Sequence, residues 1–307
     1  MEYVKFGKSS FEVSRMVLGC WGLGSDFYGK VDIDTVVNTV HAAVDGGINL
    51  LDTAPNYGNS EEVLGKALKG IRDKVILATK CGNIKYEGGS YKLLTPVSMR
   101  MQLEESLRRL GTDYIDLYQI HCPDYNSSME VAYATMNKFK EEGLIREWGV
   151  CNHNAQEVLN AADAGAVSVQ TIYSLTRKAA GRDIIPVAAN AGLGVEVYGA
   201  LAGGLLSGKY DKPRVVESAE ERRPMFYHEF REENWAKTEK LLAVLKKVAD
   251  GRGLPMSQVA ISWTLSNPLV SCALVGAKSP EQVEANIAAA SVKLTEEEIA
   301  ELNATVY

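Results

Sequence analysis

The chain has 307 residues, with 33 Lys and Arg residues against 39 Asp and Glu residues, so its formal net charge is −6. Apolar residues make up 46% of it and charged residues 23%, which is typical of a folded globular protein and excludes a disordered or collagen-like chain. The acidic balance argues against a nucleic-acid-binding protein, because such proteins usually carry a basic patch. No apolar run approaches the ~18 residues of a membrane-spanning helix, so we expect no membrane partner.

The cysteines are odd in number and form no CxxC pair, a pattern that favours neither a disulfide framework nor a structural zinc site. They are Cys20, Cys81, Cys122, Cys151 and Cys272. The N-terminal segment 1–7 lacks the apolar core of a signal peptide. These features predict a cytoplasmic protein in a reducing compartment.

The chain opens with residues 3–7 and 11–14, two short segments separated by Gly7-Lys8-Ser9-Ser10, and this pattern predicts a small β-hairpin. Eight near-continuous runs of Val, Ile, Leu and Tyr follow, as expected for strands that are covered on both faces. We predict these strands at residues 16–19, 48–52, 75–80, 114–121, 146–151, 167–170, 194–198 and 271–276.

Segments with apolar residues at helical spacing, such as Met129, Ala132, Met136 and Phe139, lie between the strands. Eight strands, each followed by a helix with a right-handed crossover, close most naturally into a (β/α)8 TIM barrel of the α/β class. The rival is a doubly wound open sheet, whose first strand is usually followed by GxGxxG when it binds a dinucleotide. The chain matches that motif only in part. No low-complexity linker divides it, so we expect one domain over residues 1–307.

Residues 199–233, after the seventh strand, carry glycines, two prolines and several charges without a sustained period. So long a loop in a compact barrel is usually functional, as a lid or a binding loop. The alternative is a tolerated surface insertion.

Six consecutive strands end in a side chain that can ionise or hydrogen-bond. These residues are Asp52, Lys80, His121, Cys151 with Asn152, Gln170 and Tyr198. Active sites of this barrel lie at the C-terminal ends of the strands, so the series predicts a site at that mouth. Each residue alone has a structural alternative: Asp52 as a helix cap, Lys80 at the surface and His121 as a core imidazole.

The set predicts a general-acid apparatus for a carbonyl oxygen. Asp52 and Lys80 end neighbouring strands and can pair, and Tyr57 follows within one short loop. A free phenol has a pKa of ~10, and a neighbouring ammonium lowers that pKa. His121 can hydrogen-bond the reacting oxygen. The set lacks a source of electrons, so a cofactor must donate the hydride.

These residues lie in motifs that resemble the aldo-keto reductase superfamily over essentially the whole chain. The motifs are Asp52-Thr-Ala-Pro-Asn-Tyr57-Gly58, Lys80, His121-Cys-Pro-Asp124, Gly149-Val-Cys-Asn152, Gln170, residues 203–210 and residues 276–286. The resemblance implies a (β/α)8 barrel that binds NADPH, less often NADH, without a Rossmann domain. It implies that Tyr57 is the general acid in reduction and the base in oxidation. It further implies that Lys80, held by Asp52, lowers the pKa of Tyr57, and that His121 orients the carbonyl.

The resemblance also implies a set of cofactor-binding residues. Cys151, Asn152 and Gln170 match the positions around the nicotinamide carboxamide, and Tyr198 the ring that stacks on it. Positions matching the pyrophosphate site are Gly203, Leu205 and Ser207, and those matching the adenosine and its 2′-phosphate are Gly276, Lys278, Ser279, Gln282 and Asn286. Cys151 replaces the commoner Ser, and Gln282 replaces an Arg that often binds the 2′-phosphate. Lys278 can supply the positive charge instead.

We expect a small-molecule carbonyl substrate in contact with Trp21, Tyr57, His121 and Cys122. The alternative for Trp21 is packing at the barrel rim; Cys122 and Asp124 either shape the pocket or only turn the chain. Polar residues near the mouth hint at a hydroxylated substrate such as a sugar or polyol derivative. They are Asn56, Asn59, Asn126 and Ser127.

Two further features are a pair of arginines and a pair of histidines. Arg222 and Arg223 either clamp a phosphate or are solvated. His153 and His121 lack a third spaced ligand, so we predict no metal site. The sequence carries no signal for an oligomeric state.

The function predicted is NAD(P)H-dependent reduction of an aldehyde or ketone. A nicotinamide-binding regulatory subunit with little catalytic role is the alternative from another class, and no residue of the expected catalytic set is missing to favour it. A third reading is an isomerase or aldolase that uses Lys80 as a Schiff base, which requires a lysine of lowered pKa without a carboxylate beside it.

Overall fold

The computed structural model describes residues 1–24, 29, 31–86, 89–214, 223–305 and 307. The strands in this part of the chain are β1 (Tyr3–Lys5), β2 (Glu12–Ser14), β3 (Met16–Gly19), β4 (Leu50–Asp52), β5 (Ile76–Cys81), β6 (Asn83–Tyr86), β7 (Gly89–Lys92), β8 (Ile115–Ile120), β9 (Ile145–Cys151), β10 (Ser168–Ile172), β11 (Gly194–Tyr198) and β12 (Cys272–Gly276).

The helices alternate with the strands. They are α1 (Trp21–Gly24), α2 (Ile33–Asp45), α3 (Ser60–Ala67), α4 (Pro96–Leu110), α5 (Met129–Glu141), α6 (Ala155–Asp163), α7 (Ala180–Asp183), α8 (Ile185–Asn190), α9 (Arg223–Phe226), α10 (Glu232–Arg252), α11 (Met256–Ser266), α12 (Pro280–Ser291) and α13 (Glu296–Asn303). None of them, within the residues described, is long and apolar enough to cross a lipid bilayer.

Eight parallel strands close into a barrel in the order β3-β4-β5-β8-β9-β10-β11-β12, with β12 pairing back onto β3. The predicted (β/α)8 TIM barrel is therefore confirmed, and each predicted strand is found within two residues of its expected ends. The predicted N-terminal hairpin is also confirmed, as the antiparallel pair β1–β2. A second hairpin, β6–β7, follows β5 on the C-terminal side of the barrel and was not predicted.

At the N-terminal end of the strands, the barrel interior is apolar and is closed by the N-terminal hairpin. Phe6 and Val13 from the hairpin are fully buried against Val17, Leu50 and other side chains of the strands. Gly194 permits this closure, because a Cβ there would lie 2.6 Å from the ring of Phe6. The larger core layer lies between the outer faces of the strands and the helices.

The segment after β11 has more structure than the predicted loop of residues 199–233. It contains 3-10 turns at Ala202–Ser207 and His228–Phe230, separated by α9, before α10 begins at Glu232. Arg177 Nε donates to Glu229 Oε1 at 2.9 Å, which ties the segment to the barrel. Residues 215–222 of the loop, with Arg222, lie outside the described residues.

The first prediction concerns Arg15, which lies between β2 and β3 and helps to hold β12 against β3 where the barrel closes. Its guanidinium donates to the backbone oxygens of Leu265 (2.6 Å), Val270 and Ser271 (3.1 Å), on the chain that leads into β12. Because Arg15→Met leaves these carbonyl oxygens without their donor, we expect it to lower the free energy of unfolding by about 2 kcal/mol.

Urea unfolding followed by circular dichroism measures this change. Arg108→Met is the matched control, since its partner Glu105 lies on the same exposed helix face, and it should leave the free energy of unfolding nearly unchanged. Equal effects of the two substitutions would refute the assigned role of Arg15.

Candidate active site

A buried ion pair joins the ends of two neighbouring strands. Lys80 on β5 places Nζ 2.7 Å and 2.6 Å from the two carboxylate oxygens of Asp52 on β4, and 2.9 Å from the backbone oxygen of Thr53. Both side chains are buried. The predicted pairing of Asp52 with Lys80 is confirmed, and the ammonium has three hydrogen-bond acceptors, two of them on one carboxylate.

The pair keeps Lys80 charged. Burial is the largest single influence and opposes the charge on its ammonium, but Asp52, with smaller contributions from Tyr57 and Cys151, more than offsets burial, and the net effect is a raised pKa. A Schiff-base lysine needs the opposite shift and no carboxylate beside it, so the isomerase or aldolase reading is not supported by this geometry.

Tyr57 lies over this pair, in the loop between β4 and α3. The ring centroid of Tyr57 is 5.2 Å from Lys80 Nζ, which is cation–π distance. The ring of His121 meets it edge-on with centroids 5.8 Å apart, and Trp21 stacks on it at 5.7 Å. Lys80, His121 and Trp21 therefore each lie within 6 Å of the ring of Tyr57.

The net pKa shift of Tyr57 corrects the expectation from sequence. Burial raises the pKa of the phenol, the positive charge of Lys80 lowers it, and Asp52 raises it again, so the pKa lies above its ordinary value. The prediction that Lys80 lowers the pKa is right for that one interaction and wrong for the net direction. Asp52 offsets the charge of Lys80, and the closed site removes the water that would solvate a phenolate.

His121 follows the last residue of β8 and is uncharged at neutral pH. Burial, and then the positive charge of Lys80, lower its pKa to about 3. A neutral imidazole carries one ring N–H, which can donate to a carbonyl oxygen at the mouth. The backbone oxygen of His121 accepts a hydrogen bond of 2.9 Å from Asn152 Nδ2.

The residues expected around a nicotinamide carboxamide lie on the next strands. Asn152 is exposed just beyond β9 with a left-handed φ of 59°, a conformation that Asn tolerates better than most residues. Its Oδ1 accepts from Tyr198 Oη at 2.8 Å. Gln170 on β10 donates from Nε2 to Asp52 Oδ2 at 3.0 Å, whereas Cys151 is fully buried beneath the mouth.

Two polar residues of this cluster were missed by the sequence analysis. Glu196 on β11 and Gln119 on β8 are fully buried in the barrel, and Gln119 Nε2 donates to Glu196 Oε1 at 2.8 Å. Burial and then the negative charge of Asp52 raise the pKa of Glu196 to about 8. The sequence did contain a signal for them, because a glutamate or glutamine within a run of otherwise apolar strand residues indicates a buried polar group.

The segment expected at a pyrophosphate is a strained turn. Gly203 has a φ of +68°, and a Cβ there would lie 2.6 Å from the ring of Tyr227, so only glycine fits. Ser207 Oγ donates to the backbone oxygen of Gly204 at 2.6 Å. The side chain of Leu205 is fully buried, so only its backbone is available to a ligand.

The residues expected at an adenosine lie at the start of α12. Ser279 caps this helix by accepting from the backbone N–H of Gln282, and Gln282 Oε1 accepts from the backbone N–H of Lys278 at 2.9 Å. Asn286 Nδ2 donates to the backbone oxygen of Gly276 at 3.4 Å. Burial and then the charge of Arg223 lower the pKa of Lys278, so these two cations lie near one another.

On the substrate side, Trp21 lies between Tyr57 and Phe226, whose ring meets it edge-on at 5.7 Å. Cys122 is partly exposed beside His121. Asp124 turns the chain, because its carboxylate accepts from Ser127 Oγ at 2.5 Å and from the backbone N–H of Asn126 at 3.0 Å.

His153 Nδ1 bonds the backbone oxygen of Cys151 at 2.9 Å. Across the part of the chain that the structure describes, no group of three or more His, Cys, Asp or Glu residues has the arrangement to hold a metal ion.

The model of the aldo/keto reductase family matches residues 15–306. The chain belongs to the aldo/keto reductase family. It is 32% identical to the NADH-specific methylglyoxal reductase of Escherichia coli K12, over 96% of this chain and 95% of that protein. It is 36% identical to the aldo-keto reductase YhdN of Bacillus subtilis 168, over 93% of this chain and 87% of that one.

Solved structures of this family have the same barrel. The glycerol dehydrogenase AKR11B4 of Gluconobacter oxydans superposes with a TM-score of 0.88 at 32% identity, covering 98% of this chain and 94% of that one. The holo form of the aldo-keto reductase AKR11C1 of Bacillus halodurans superposes with a TM-score of 0.84 at 28% identity, covering 100% and 97%. Enzymes of this family are oxidoreductases that use nicotinamide cofactors.

The buried carboxyl group of Glu196 gives a prediction about stability and pH. An unfolded glutamate has a pKa of about 4.3. Between that value and about 8, the folded state holds a proton that the unfolded state has lost. The stability gained from this proton is therefore complete below about pH 4.3 and is lost as the pH rises to about 8.

Glu196→Gln removes this titration. We expect the wild type to lose stability relative to the variant by up to about 1.4 kcal/mol per pH unit between about pH 5 and about pH 7. Urea unfolding of both proteins at each pH measures the difference. A difference independent of pH would contradict the raised pKa.

Proposed function

We propose that this chain reduces an aldehyde or ketone to an alcohol with NADPH or NADH as hydride donor, and that Tyr57 is the general acid. The observation that carries the proposal is the buried Lys80–Asp52 pair beneath Tyr57, with His121 on the ring edge. A phenol, a fixed ammonium and a neutral imidazole together supply a proton, a charge and a hydrogen-bond donor to one carbonyl oxygen.

Each residue has a distinct part in this chemistry. The bound nicotinamide supplies the hydride that reduces the carbonyl carbon. Tyr57 is protonated at neutral pH, as a phenol with a pKa above the ordinary ~10 must be, and it donates this proton to the carbonyl oxygen. Lys80 lies against the ring face and stabilises the negative charge that Tyr57 gains. His121 donates its ring N–H to the same oxygen and orients the carbonyl, and in the oxidative direction Tyr57 accepts the proton.

The polar groups along the mouth are chemically suited to a dinucleotide. The side-chain amides of Asn152 and Gln170 can pair with a carboxamide, and Tyr198 offers a ring beside them. The left-handed turn at Gly203 packs against the ring of Tyr227 and lies in the segment that resembles the pyrophosphate site. Lys278 and Arg223, which lie near one another, supply positive charge for phosphate groups.

We propose that the chain accepts both dinucleotides, with Lys278 providing the charge for a 2′-phosphate. Gln282 is neutral, and its side-chain oxygen is engaged by the backbone of Lys278. The similar protein from Escherichia coli is described as NADH-specific, which supports a site that does not depend on the 2′-phosphate.

We propose a small oxygenated carbonyl compound, such as a sugar or polyol derivative, as the substrate. Two similar proteins are described as a methylglyoxal reductase and a glycerol dehydrogenase, and both compounds are small and oxygenated. Next to Tyr57, the buried Asn56 Oδ1 has no hydrogen-bond partner among the residues described, which suits a substrate hydroxyl. The five cysteines are free thiols, and this favours the cytoplasm.

Tyr57→Phe tests the general acid, because phenylalanine keeps the ring packing but has no proton to give. We expect kcat for carbonyl reduction to fall by about 10²- to 10⁴-fold, while the affinity for NADPH or NADH changes by less than about 3-fold. Initial rates across a panel of small aldehydes and ketones, with fluorescence titration of the nucleotide, measure the two effects.

Tyr114→Phe is the matched control, since Tyr114 precedes β8 at the opposite end of the barrel, and it should retain wild-type rates. Full activity of Tyr57→Phe would refute the assignment of the acid. Nucleotide binding by the wild type without hydride transfer to any carbonyl of the panel would favour the regulatory alternative.

Lys278→Met tests the cofactor site. The substitution removes one positive charge, so we expect the Kd for NADPH to rise about tenfold and that for NADH to change by less than about 3-fold. Fluorescence titration with both nucleotides measures this, and exposed Lys293→Met is the control for an equal loss of charge. Equal weakening of both nucleotides would exclude a contact with the 2′-phosphate.

A further inference from the structure

Gln170 is held from within the barrel by three acceptors. Its Nε2 lies 3.0 Å from Asp52 Oδ2, 3.3 Å from Glu196 Oε2 and 3.3 Å from Gln119 Oε1. The strands that carry these acceptors, β4, β11 and β8, approach from different sides of the barrel. The –NH2 arm of the Gln170 amide is therefore directed into the barrel interior.

Glu196 contacts both amides of this cluster, those of Gln119 and Gln170. One of its carboxyl oxygens accepts from Gln170, and the other accepts from Gln119 Nε2 at 2.8 Å. Both Glu196 and Gln119 are fully buried, and Gln170 is only 4% exposed, so water does not compete for these bonds. In either protonation state both carboxyl oxygens of Glu196 keep a lone pair that can accept from an amide. The Asp52 carboxylate, paired with Lys80, cannot donate, so a Gln170 amide reversed by 180° would direct its oxygen at an acceptor.

The other arm of the Gln170 amide is thereby left for a ligand. None of the residues that the structure describes donates a hydrogen bond to Gln170 Oε1. Oε1 and Nε2 sit on opposite arms of one planar group, so holding Nε2 inward turns Oε1 away from the interior. Gln170 is the third of the five residues of β10, two residues before the C-terminal end of that strand.

We propose that Glu196 and Gln119 are positioning residues for the cofactor: they hold Gln170 so that its Oε1 accepts a hydrogen bond from the –NH2 of the nicotinamide carboxamide. This inference rests on the proposed function, which brings the carboxamide to Gln170. Neither residue touches the cofactor itself. Their action is confined to the nicotinamide end of the dinucleotide and leaves the adenosine end unchanged.

Glu196→Gln tests this inference with little change in shape. The carboxamide at position 196 has an –NH2 group where Glu196 had a second carboxyl oxygen, and this –NH2 group cannot accept a hydrogen bond. One of the amide donors of Gln119 and Gln170 therefore loses its acceptor, and Gln170 is no longer held in one orientation. We expect the Kd for NADH to rise about tenfold, whereas the Kd for ADP-ribose, which lacks the nicotinamide ring, changes by less than about 2-fold. NADPH paired with 2′-phospho-ADP-ribose should give the same contrast. Isothermal titration calorimetry measures all four ligands without turnover.

A second variant and a double-mutant cycle test whether the effect passes through Gln170. Gln119→Leu removes the other support, and we expect a selective but smaller loss of NADH affinity. In a Gln170→Met background, Glu196→Gln should have no further effect on the Kd for NADH, because the group that it positions is gone. A purely structural role would weaken NADH in both backgrounds.

Glu61→Gln is the matched control. Glu61 is a buried carboxylate on α3, bonded to Arg109 and Thr79 and not to Gln170. We expect its substitution to lower the free energy of unfolding and to leave the ratio of the two Kd values at its wild-type level.

The outcomes separate the two proposals. Suppose that the wild-type protein binds both NADH and ADP-ribose. If Glu196→Gln then weakens the binding of both equally, or of neither, the positioning role alone is overturned. Failure of the wild-type protein to bind NADH and NADPH would overturn the proposed function as well.

Discussion

The site depends on one interaction, the buried ion pair between Lys80 and Asp52. An ammonium away from water is strongly destabilising unless it is paired and hydrogen-bonded, and here both carboxylate oxygens of Asp52 and the backbone oxygen of Thr53 accept from it. The pair fixes a positive charge against the ring of Tyr57. Asp52 also accepts from Gln170, so the same carboxylate connects the reacting end of the site to the residues expected at the cofactor.

The barrel separates this polar layer from an apolar one. At the N-terminal end of the strands, the hairpin closes the interior with Phe6, which packs against apolar side chains of the strands. Above, Gln119, Gln170 and Glu196 satisfy one another and Asp52. Because strands surround the polar layer, water screens the charges there less than it would at the surface. This explains why the pKa values of Tyr57 and His121 respond first to burial and only then to Lys80.

The sequence predicted the barrel and the Asp52–Lys80 pair because both follow from short local patterns, namely the apolar runs and the polar residues that end them. It did not predict the net pKa shift of Tyr57, which depends on how completely the closed barrel excludes water. It also missed Glu196 and Gln119. Strands covered on both faces have no period-2 alternation, so the run alone does not tell an inward glutamate from an outward one. Hairpin β6–β7 was missed for another reason, since most of its residues are exposed and carry little apolar signal.

The two ends of the proposed dinucleotide site are built from different kinds of structure. Residues expected at the nicotinamide extend from barrel strands and are cross-linked by buried hydrogen bonds, so their positions are set by the fold. Residues expected at the adenosine lie on loops and on the first turn of α12, where Gln282 bonds the backbone N–H of Lys278 and the side chain of Ser279. A substitution at Lys278 or Gln282 therefore disturbs no strand and no part of the Lys80–Asp52 pair. Selection for NADH or NADPH can change at that end while the hydride and proton chemistry at the other end stays the same, because no hydrogen bond described between the two groups couples them.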